Sequence, residues 1–240
     1  MEEMFLLLAA LLPAVVWGIY IYRKDRAEKE PLHLLMALII SGVVIIIPVV
    51  IMENAMRAGI YSMFTAYASL DNQPFTASVR YYWIYRLADN LIGIALVEEG
   101  WKWIAMWLIT HRNCNFNSLF DGIVYAVYVS IGFAAAENIQ YVLNFGWATA
   151  FARMVTAVPA HIFFAILMGA CYSRWRMKKR PGQNLIRSIF LPVLAHGLYD
   201  YFCTYQDGWT GAAFWIFLAM LYLYCFYLTR KLSEEDHLIT

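Results

Sequence analysis

Apolar stretches of about 20 residues recur along the whole chain, and no other feature restricts its fold as strongly. A bilayer core about 30 Å thick is crossed by a helix of about 20 apolar residues. Within it, only helices and closed barrels satisfy their backbone polar groups. Seven such stretches are read, at 4–22, 34–52, 87–110, 119–142, 148–172, 188–205 and 211–228. The predicted fold class is therefore all-α: a polytopic membrane protein of about seven transmembrane helices, forming one domain over residues 1–240.

Composition agrees. The chain is 62% hydrophobic and 15% charged, against about 45–50% and about 25% in soluble domains. That excludes an ordinary soluble globule and a disordered chain. With a net charge of +1, the basic footprint of a nucleic-acid binder is also missing. Pro48 is a tolerated kink site in the second stretch. The mixed, Tyr-rich segment 53–85, with Asp71-Asn72-Gln73-Pro74, predicts a long loop carrying a short interfacial helix. Cys114, Cys171, Cys203 and Cys225 form no CxxC pair and are expected as free thiols packed like small hydrophobes. Met1-Glu2-Glu3-Met4 lacks a basic signal region, so the first stretch is expected as a retained helix.

Lys and Arg set the expected orientation. Arg23, Lys24, Arg26 and Lys29 follow the first span, and Arg174, Arg176, Lys178, Lys179, Arg180 and Arg187 follow the fifth. Arg112 closes the third, and Arg230 and Lys231 follow the seventh. The intervening loops hold only Arg57 and Arg80, spread over a long segment. This alternation predicts the N-terminus outside and the C-terminus in the cytoplasm.

Ionisable residues inside spans cost roughly 2.5–3.5 kcal/mol each on insertion scales. The third span carries Glu98, Glu99 and Lys102; the fourth, Glu137 followed by Asn138; the fifth, Arg153 and His161; the sixth, His196 and Asp200. The first, second and seventh carry none at depth and read as supporting helices. Glu98 and Lys102 share a helix face, as do His196 and Asp200, and Lys102 also reaches Glu99. At about 1.5 Å per residue, Glu99, His161, His196 and Asp200 fall ~12–18 Å above the cytoplasmic boundary, and Glu137 at about 24 Å. Spans at about 87–205 are expected to enclose one polar chamber.

Carboxylates with two histidines, and no Ser or Cys fixed beside them, point to activation of water. One route uses a bound divalent metal, most simply Zn2+. The other is metal-free, with Glu as general base and His polarising the carbonyl. No HExxH is present. Each group also has a plain structural reading: a Glu98–Lys102 ion pair, a core His161, a helix-fixing His196–Asp200 bond, a snorkelling Arg153. One lysine does not cancel two carboxylates, so the doubled Glu favours function. Intramembrane Glu, His and Lys also suit an ion or proton-coupled transporter or channel, for which inverted repeats would be expected and none is found.

Four motifs stand in order in separate spans. They are Glu98-Glu99-Gly100-Trp101-Lys102; Phe133-Ala134-Ala135-Ala136-Glu137-Asn138, preceded by Phe120-Asp121-Gly122-Ile123-Val124-Tyr125; Ala157-Val158-Pro159-Ala160-His161, running on to Phe164 and Gly169; and His196-Gly197-Leu198-Tyr199-Asp200. In these the sequence resembles the PrsW family of bacterial intramembrane proteases, within the larger group that includes the CAAX prenyl proteases. The resemblance covers about 98–201. It implies a multi-pass protease of the bacterial cell membrane that makes the site-1 cut in a single-span anti-sigma factor and so starts a stress response. The lipid bilayer and that substrate are the implied partners, with no nucleic acid. A prenyl-protein endopeptidase is the neighbouring alternative, but it would present His where Glu137 stands.

The resemblance further implies that Glu98, Glu99, Glu137, His161 and His196 are functional, and leaves metalloprotease and glutamate-dependent mechanisms open. On this reading Glu98 or Glu99 activates water and Lys102 orients the pair. Glu137, His161 and His196 hold the metal or, without it, form a polarising set. Asp200 fixes the tautomer of His196 from one turn away. The first two spans and the long loop after them carry no diagnostic motif and are where substrate recognition is free to differ.

Overall fold

In the computed structural model residues 2–69, 79–204 and 208–238 are described, and all regular structure among them is helical. Helices α1 (Glu2–Lys24), α2 (Leu32–Val44) and α3 (Ile46–Ser69) are followed by α4 (Val79–Ala88). A π-helical stretch (Asp89–Ala95) carries α4 into α5 (Leu96–Thr110). Then come α6 (Asp121–Val155), α7 (Ala157–Arg176), α8 (Pro181–Thr204) and α9 (Trp209–Glu234). Four helical runs are long and apolar enough to cross a membrane: Glu2–Lys24, Leu32–Ala68, Asp121–Arg176 and Trp209–Glu234. The all-α membrane class is as expected.

Helices α6 and α7 form the centre. Their buried residues face all directions, from Asp121 to Ala134 and from Ala157 to Ser173, as a helix wrapped by neighbours requires. Helices α1 and α2 pack on α6, and α8 on α7. Leu8, Ile47, Ile216 and Leu223 leave apolar surface pointing outward from α1, α3 and α9, as lipid contact demands. The α2–α6 contact is backbone to backbone. A Cβ on Gly132 would lie 2.0 Å from the carbonyl oxygen of Ile39, and one on Gly42 2.0 Å from that of Val129. Small residues permit such approach where apolar burial cannot drive helix association.

Three sequence boundaries need correction. Residues 53–69 are helix rather than loop: α3 continues the apolar run to Ser69. The only break in that run is at Ile45, and Pro48 then sits in the first turn of α3, where its missing N–H is not needed. Glu53 therefore sits on a helix that enters the chamber, so the second apolar stretch does contribute an ionisable residue. The Asp71-Asn72-Gln73-Pro74 segment lies outside the described residues. Finally, the helix from Asp121 runs a few residues past Val142 and breaks at Gly146 (φ 75°, ψ −161°), inside the expected gap between spans; a second helical segment then carries α6 to Val155, and the chain turns at Thr156. Glycine adopts that positive φ without strain. Arg153 thus belongs to the end of α6, and the next helix begins at Ala157.

At one end of the molecule the C-terminal tail is clasped to the α1–α2 connection, outside the membrane-spanning segments. Asp236 accepts the backbone N–H groups of Arg26 and Ala27, both at 2.8 Å. The Ser233 hydroxyl donates to the Lys24 carbonyl. Tyr125 donates to Glu30 Oε1 at 2.8 Å, and Asp121 Oδ2 accepts the N–H groups of Asn117 and Ser118 at 2.7 and 2.6 Å. Asp25 is buried among these carboxylates and neither of its oxygens has a hydrogen-bond partner. Burial, then the charges of Asp236 and Asp121, push its carboxyl from 3.8 up to about 7. Burial pushes Glu30 from 4.5 up to about 8, against the Tyr125 hydrogen bond.

These raised values mean that the folded protein holds protons which the unfolded chain releases. Their contribution to stability is complete below the unfolded carboxyl range and is lost as pH rises through about 7 to 8. Thermal unfolding of the purified protein is expected to move to lower temperature between about pH 5 and pH 9. Asp25→Asn should flatten that slope. A wild-type unfolding temperature that is level or rises over this range would contradict the clasp's protonation.

Candidate active site

The first turn of α5 presents Glu98 and Glu99, and the next turn presents Lys102. All three are buried, with Glu99 at 0% and Lys102 at 1% exposure. Charge burial of this kind is tolerated only with close pairing. The Lys102 ammonium donates to Glu98 Oε2 at 3.1 Å and to Glu99 Oε1 at 2.7 Å. It lies 3.2 Å from His161 Nδ1 and 4.1 Å from the centroid of the Phe133 ring. The π-helical stretch just ahead of α5 shifts helical register, a feature common at functional sites.

From α6, Glu137 Oε2 stands 2.9 Å from His161 Nε2 and accepts from Arg153 Nη2 at 2.9 Å. Arg153 Nε donates to Asn138 Oδ1 at 2.8 Å. From α8, His196 Nδ1 stands 3.0 Å from Glu99 Oε1, and Nε2 stands 3.3 Å from Asp200 Oδ2. Phe164 stacks on the His196 ring at 4.8 Å. The ring of His161 thus bridges Lys102 to Glu137, and the ring of His196 bridges Glu99 to Asp200. One network joins Glu98, Glu99, Lys102, Glu137, His161, His196 and Asp200.

Depth along the chain had separated Glu137 from His161 by more than a turn. In the structure they touch, because a count along helix axes ignores tilt and the reach of a glutamate side chain. The groups that converge tightly enough to share a cation are Glu98, Glu99, His161 and His196. Each offers one ligand atom, all within 4.8 Å of one another. Glu137 is not among them: its Oε2 is held by Arg153 and by the outer nitrogen of His161. The donor set fits a divalent ion such as zinc, which takes imidazole and carboxylate ligands. Glu99 Oε2 is buried with no partner and is an unused acceptor, while the Lys102 ammonium stands against Glu98, Glu99 and His161.

A cavity of about 510 Å³ opens onto this network. Glu98, Glu137, His161, His196 and Asp200 line it; Glu99 and Lys102 do not. The cavity is also lined by residues that reading the sequence did not assign to the site. Glu53 and Arg57 come from α3, and Asp89 and Asn90 from the π-helical stretch. Arg57 binds Asp89 with two nitrogens, at 3.0 and 3.1 Å. The signal for this wall was present as Glu53 and Arg57 one helical turn apart. Placing residues 53–85 in a loop concealed it.

Comparison with known proteins bears on this geometry. The pattern of a family described as PrsW family intramembrane metalloprotease matches residues 30–228. Protease PrsW of Geobacillus kaustophilus is 32% identical over 206 residues, covering 85% of this chain and 82% of its own. Protease PrsW of Oceanobacillus iheyensis is 30% identical over 233 residues, covering 96% and 97%. Protease PrsW of Bacillus subtilis is 27% identical over 227 residues, covering 92% of each. No solved structure gives a significant match.

Proposed function

The chain belongs to the PrsW family of intramembrane metalloproteases, membrane peptidases by name, and from this premise we propose that it hydrolyses a peptide bond of a membrane-anchored protein with water activated by Glu98. The observation that carries the assignment is access. The cavity reaches Glu98 and stops short of its neighbour Glu99. Water can therefore meet the first carboxylate and not the second.

In this reading Glu98 takes a proton from the attacking water and delivers it to the leaving amine nitrogen. Lys102 keeps the two buried carboxylates charged and in place. Glu99 orients His196 through Nδ1, and Asp200 holds that ring from Nε2 one turn away. Glu137 and Arg153 fix the ring of His161 from the other side. Both imidazoles face the cavity, and to polarise the scissile carbonyl each exchanges one of its present hydrogen-bond partners for it. A divalent metal, Zn2+ in the first instance, would be held by Glu99, His161 and His196 and would supply Lewis acidity to the carbonyl and a lowered pKa to water. Three ligands beside a free carboxylate base is the pattern of catalytic rather than structural zinc. This set replaces Glu137, of the trio expected from sequence, with Glu99.

The chain crosses the membrane seven times in this proposal, through α1, the joined α2–α3, the α4–α5 run, α6, α7, α8 and α9. The N-terminus lies outside and the C-terminus in the cytoplasm of a bacterial cell. The family resemblance supports a single-span regulatory protein of the anti-sigma factor type as substrate. Purified protein in liposomes is expected to cleave such a single-span test protein and to carry no proton flux. Flux without cleavage would replace this reading with a transporter. Metal analysis separates the two chemical routes: bound metal that is lost in His161→Ala supports the metal form, and metal-free protein active in chelator supports the glutamate form.

A further inference from the structure

Arg153 reaches the active site by a reversal of the chain. Its Nε and Nη2 meet Asn138 and Glu137, which lie 15 and 16 residues earlier on α6. A straight helix would hold such residues about 22 Å apart. They meet because Gly146 (φ 75°, ψ −161°) takes a backbone conformation open essentially to glycine alone and turns the second segment of α6 back on the first. The guanidinium is then fixed on three sides. Nε donates to Asn138 Oδ1 at 2.8 Å, Nη2 donates to Glu137 Oε2 at 2.9 Å, and Cζ lies 4.0 Å from the centroid of the Tyr141 ring. Asn138 is itself 0% exposed and anchored, donating from Nδ2 to the Ala10 carbonyl of α1 at 2.8 Å. Neutralising Glu137 needs one of these contacts, not all of them. The remaining nitrogen, Nη1, has no protein partner among the described residues. It is not sealed off, for Arg153 lines the cavity with its side chain 14% exposed. The imidazoles beside it have both nitrogens engaged, His161 by Lys102 and Glu137, and His196 by Glu99 and Asp200.

We propose that Arg153 is a further catalytic residue, its Nη1 donating to the scissile carbonyl oxygen as that oxygen takes up charge. The inference rests on the protease reading above. Contacts of 2.9–3.2 Å lead from Glu98 through Lys102, His161 and Glu137 to Arg153, so the base and the guanidinium stand at the two ends of one row. A peptide carbonyl calls for such a separation, because water attacks the carbon from one side while the oxygen points away from it. As the water oxygen bonds to the carbonyl carbon, the π electrons move to the carbonyl oxygen and Glu98 receives one proton. Nη1 keeps its hydrogens and stabilises the oxyanion by charge and hydrogen bond. The carbonyl then re-forms, the C–N bond breaks with its electron pair going to nitrogen, and that nitrogen takes the proton from Glu98. A donor already held by its own protein contacts needs no reorganisation when the charge develops, and Nη1 gives up no partner to serve.

The test uses full-length protein in liposomes with the single-span test protein. Arg153→Lys keeps a cation for Glu137 but offers no second, fixed donor. It is expected to lower kcat about 10²–10³-fold, with KM within about twofold and an unchanged unfolding temperature. A phosphinic peptide built on the sequence of the cleaved bond, which mimics the tetrahedral intermediate, should lose affinity by the same factor. Asn138→Ala leaves the Glu137 bond and removes only the aim of the guanidinium. It should lower kcat about 10-fold with KM again unmoved, and it decides the matter if the lysine variant does not fold. A purely structural Arg153 predicts otherwise: lysine would serve Glu137 as well, and phosphinic-peptide affinity would not follow kcat. The proposal is overturned if folded Arg153→Lys keeps wild-type kcat, or if its kcat falls without a matching loss of phosphinic-peptide affinity. Where that variant is unfolded, wild-type kcat in Asn138→Ala overturns it. Wild-type protein that cleaves nothing would instead remove the protease reading itself, so the two failures are distinct.

Discussion

Glu98→Gln should reduce cleavage by about 10²–10⁴-fold, the range a positioned general base supplies, while the protein stays folded. Glutamine matches glutamate in shape, so the packing around α5 is kept. Lys102 loses one acceptor but keeps Glu99 at 2.7 Å. What disappears is the carboxylate that faces the cavity. Glu99→Gln differs in kind, because Glu99 Oε1 stands against both Lys102 and His196. Its replacement should lower thermal stability together with activity. Measuring kcat and unfolding temperature on both variants separates the two acids. If Glu98→Gln remained active while Glu99→Gln was folded and inert, the assignment of the base would be reversed.

Lys102→Met should have the largest effect on stability. Lys102 is 1% exposed and is the only Lys or Arg that touches Glu98 or Glu99 among the described residues. Removing one partner of a buried charge pair costs about 3–5 kcal/mol, because the opposite charge is left uncompensated. Methionine fills the space beside Phe133 but supplies no donor. The variant should be recovered in low yield and unfold well below wild type. Adding Glu99→Gln to it removes one orphaned charge and should return part of the stability without returning activity. Lys102→Met as stable as wild type would mean that the ammonium does not compensate these carboxylates.

Much of the fold could be read along the chain. Helix positions followed from apolar length, and the residues that converge are those whose burial in a bilayer had no structural excuse. The errors arose where a local cue was given tertiary meaning. Residues 53–69 carry charged and polar side chains, so they read as loop. In the structure Glu53 and Arg57 line a polar cavity from a helix, and Arg57 finds its partner there in Asp89. The fourth and fifth spans were parted once, between 142 and 148; the structure parts them twice, at the Gly146 kink and at the Thr156 turn. Glu137 was placed too far from His161 because depth was counted along straight axes.

The sequence by itself determined that the protein is helical and membrane-embedded, and which polar residues its helices must pair. Both follow from local constraints: a bilayer admits helices of a set length and penalises every unpaired charge. Tertiary structure alone decided which carboxylate faces the cavity. Glu98 and Glu99 are neighbours in sequence and chemically identical, yet they project from α5 roughly 100° apart. One faces a cavity that α3 also lines, and the other is sealed against His196 and Lys102. That difference comes from the packing of helices distant in sequence, and no pattern within α5 encodes it.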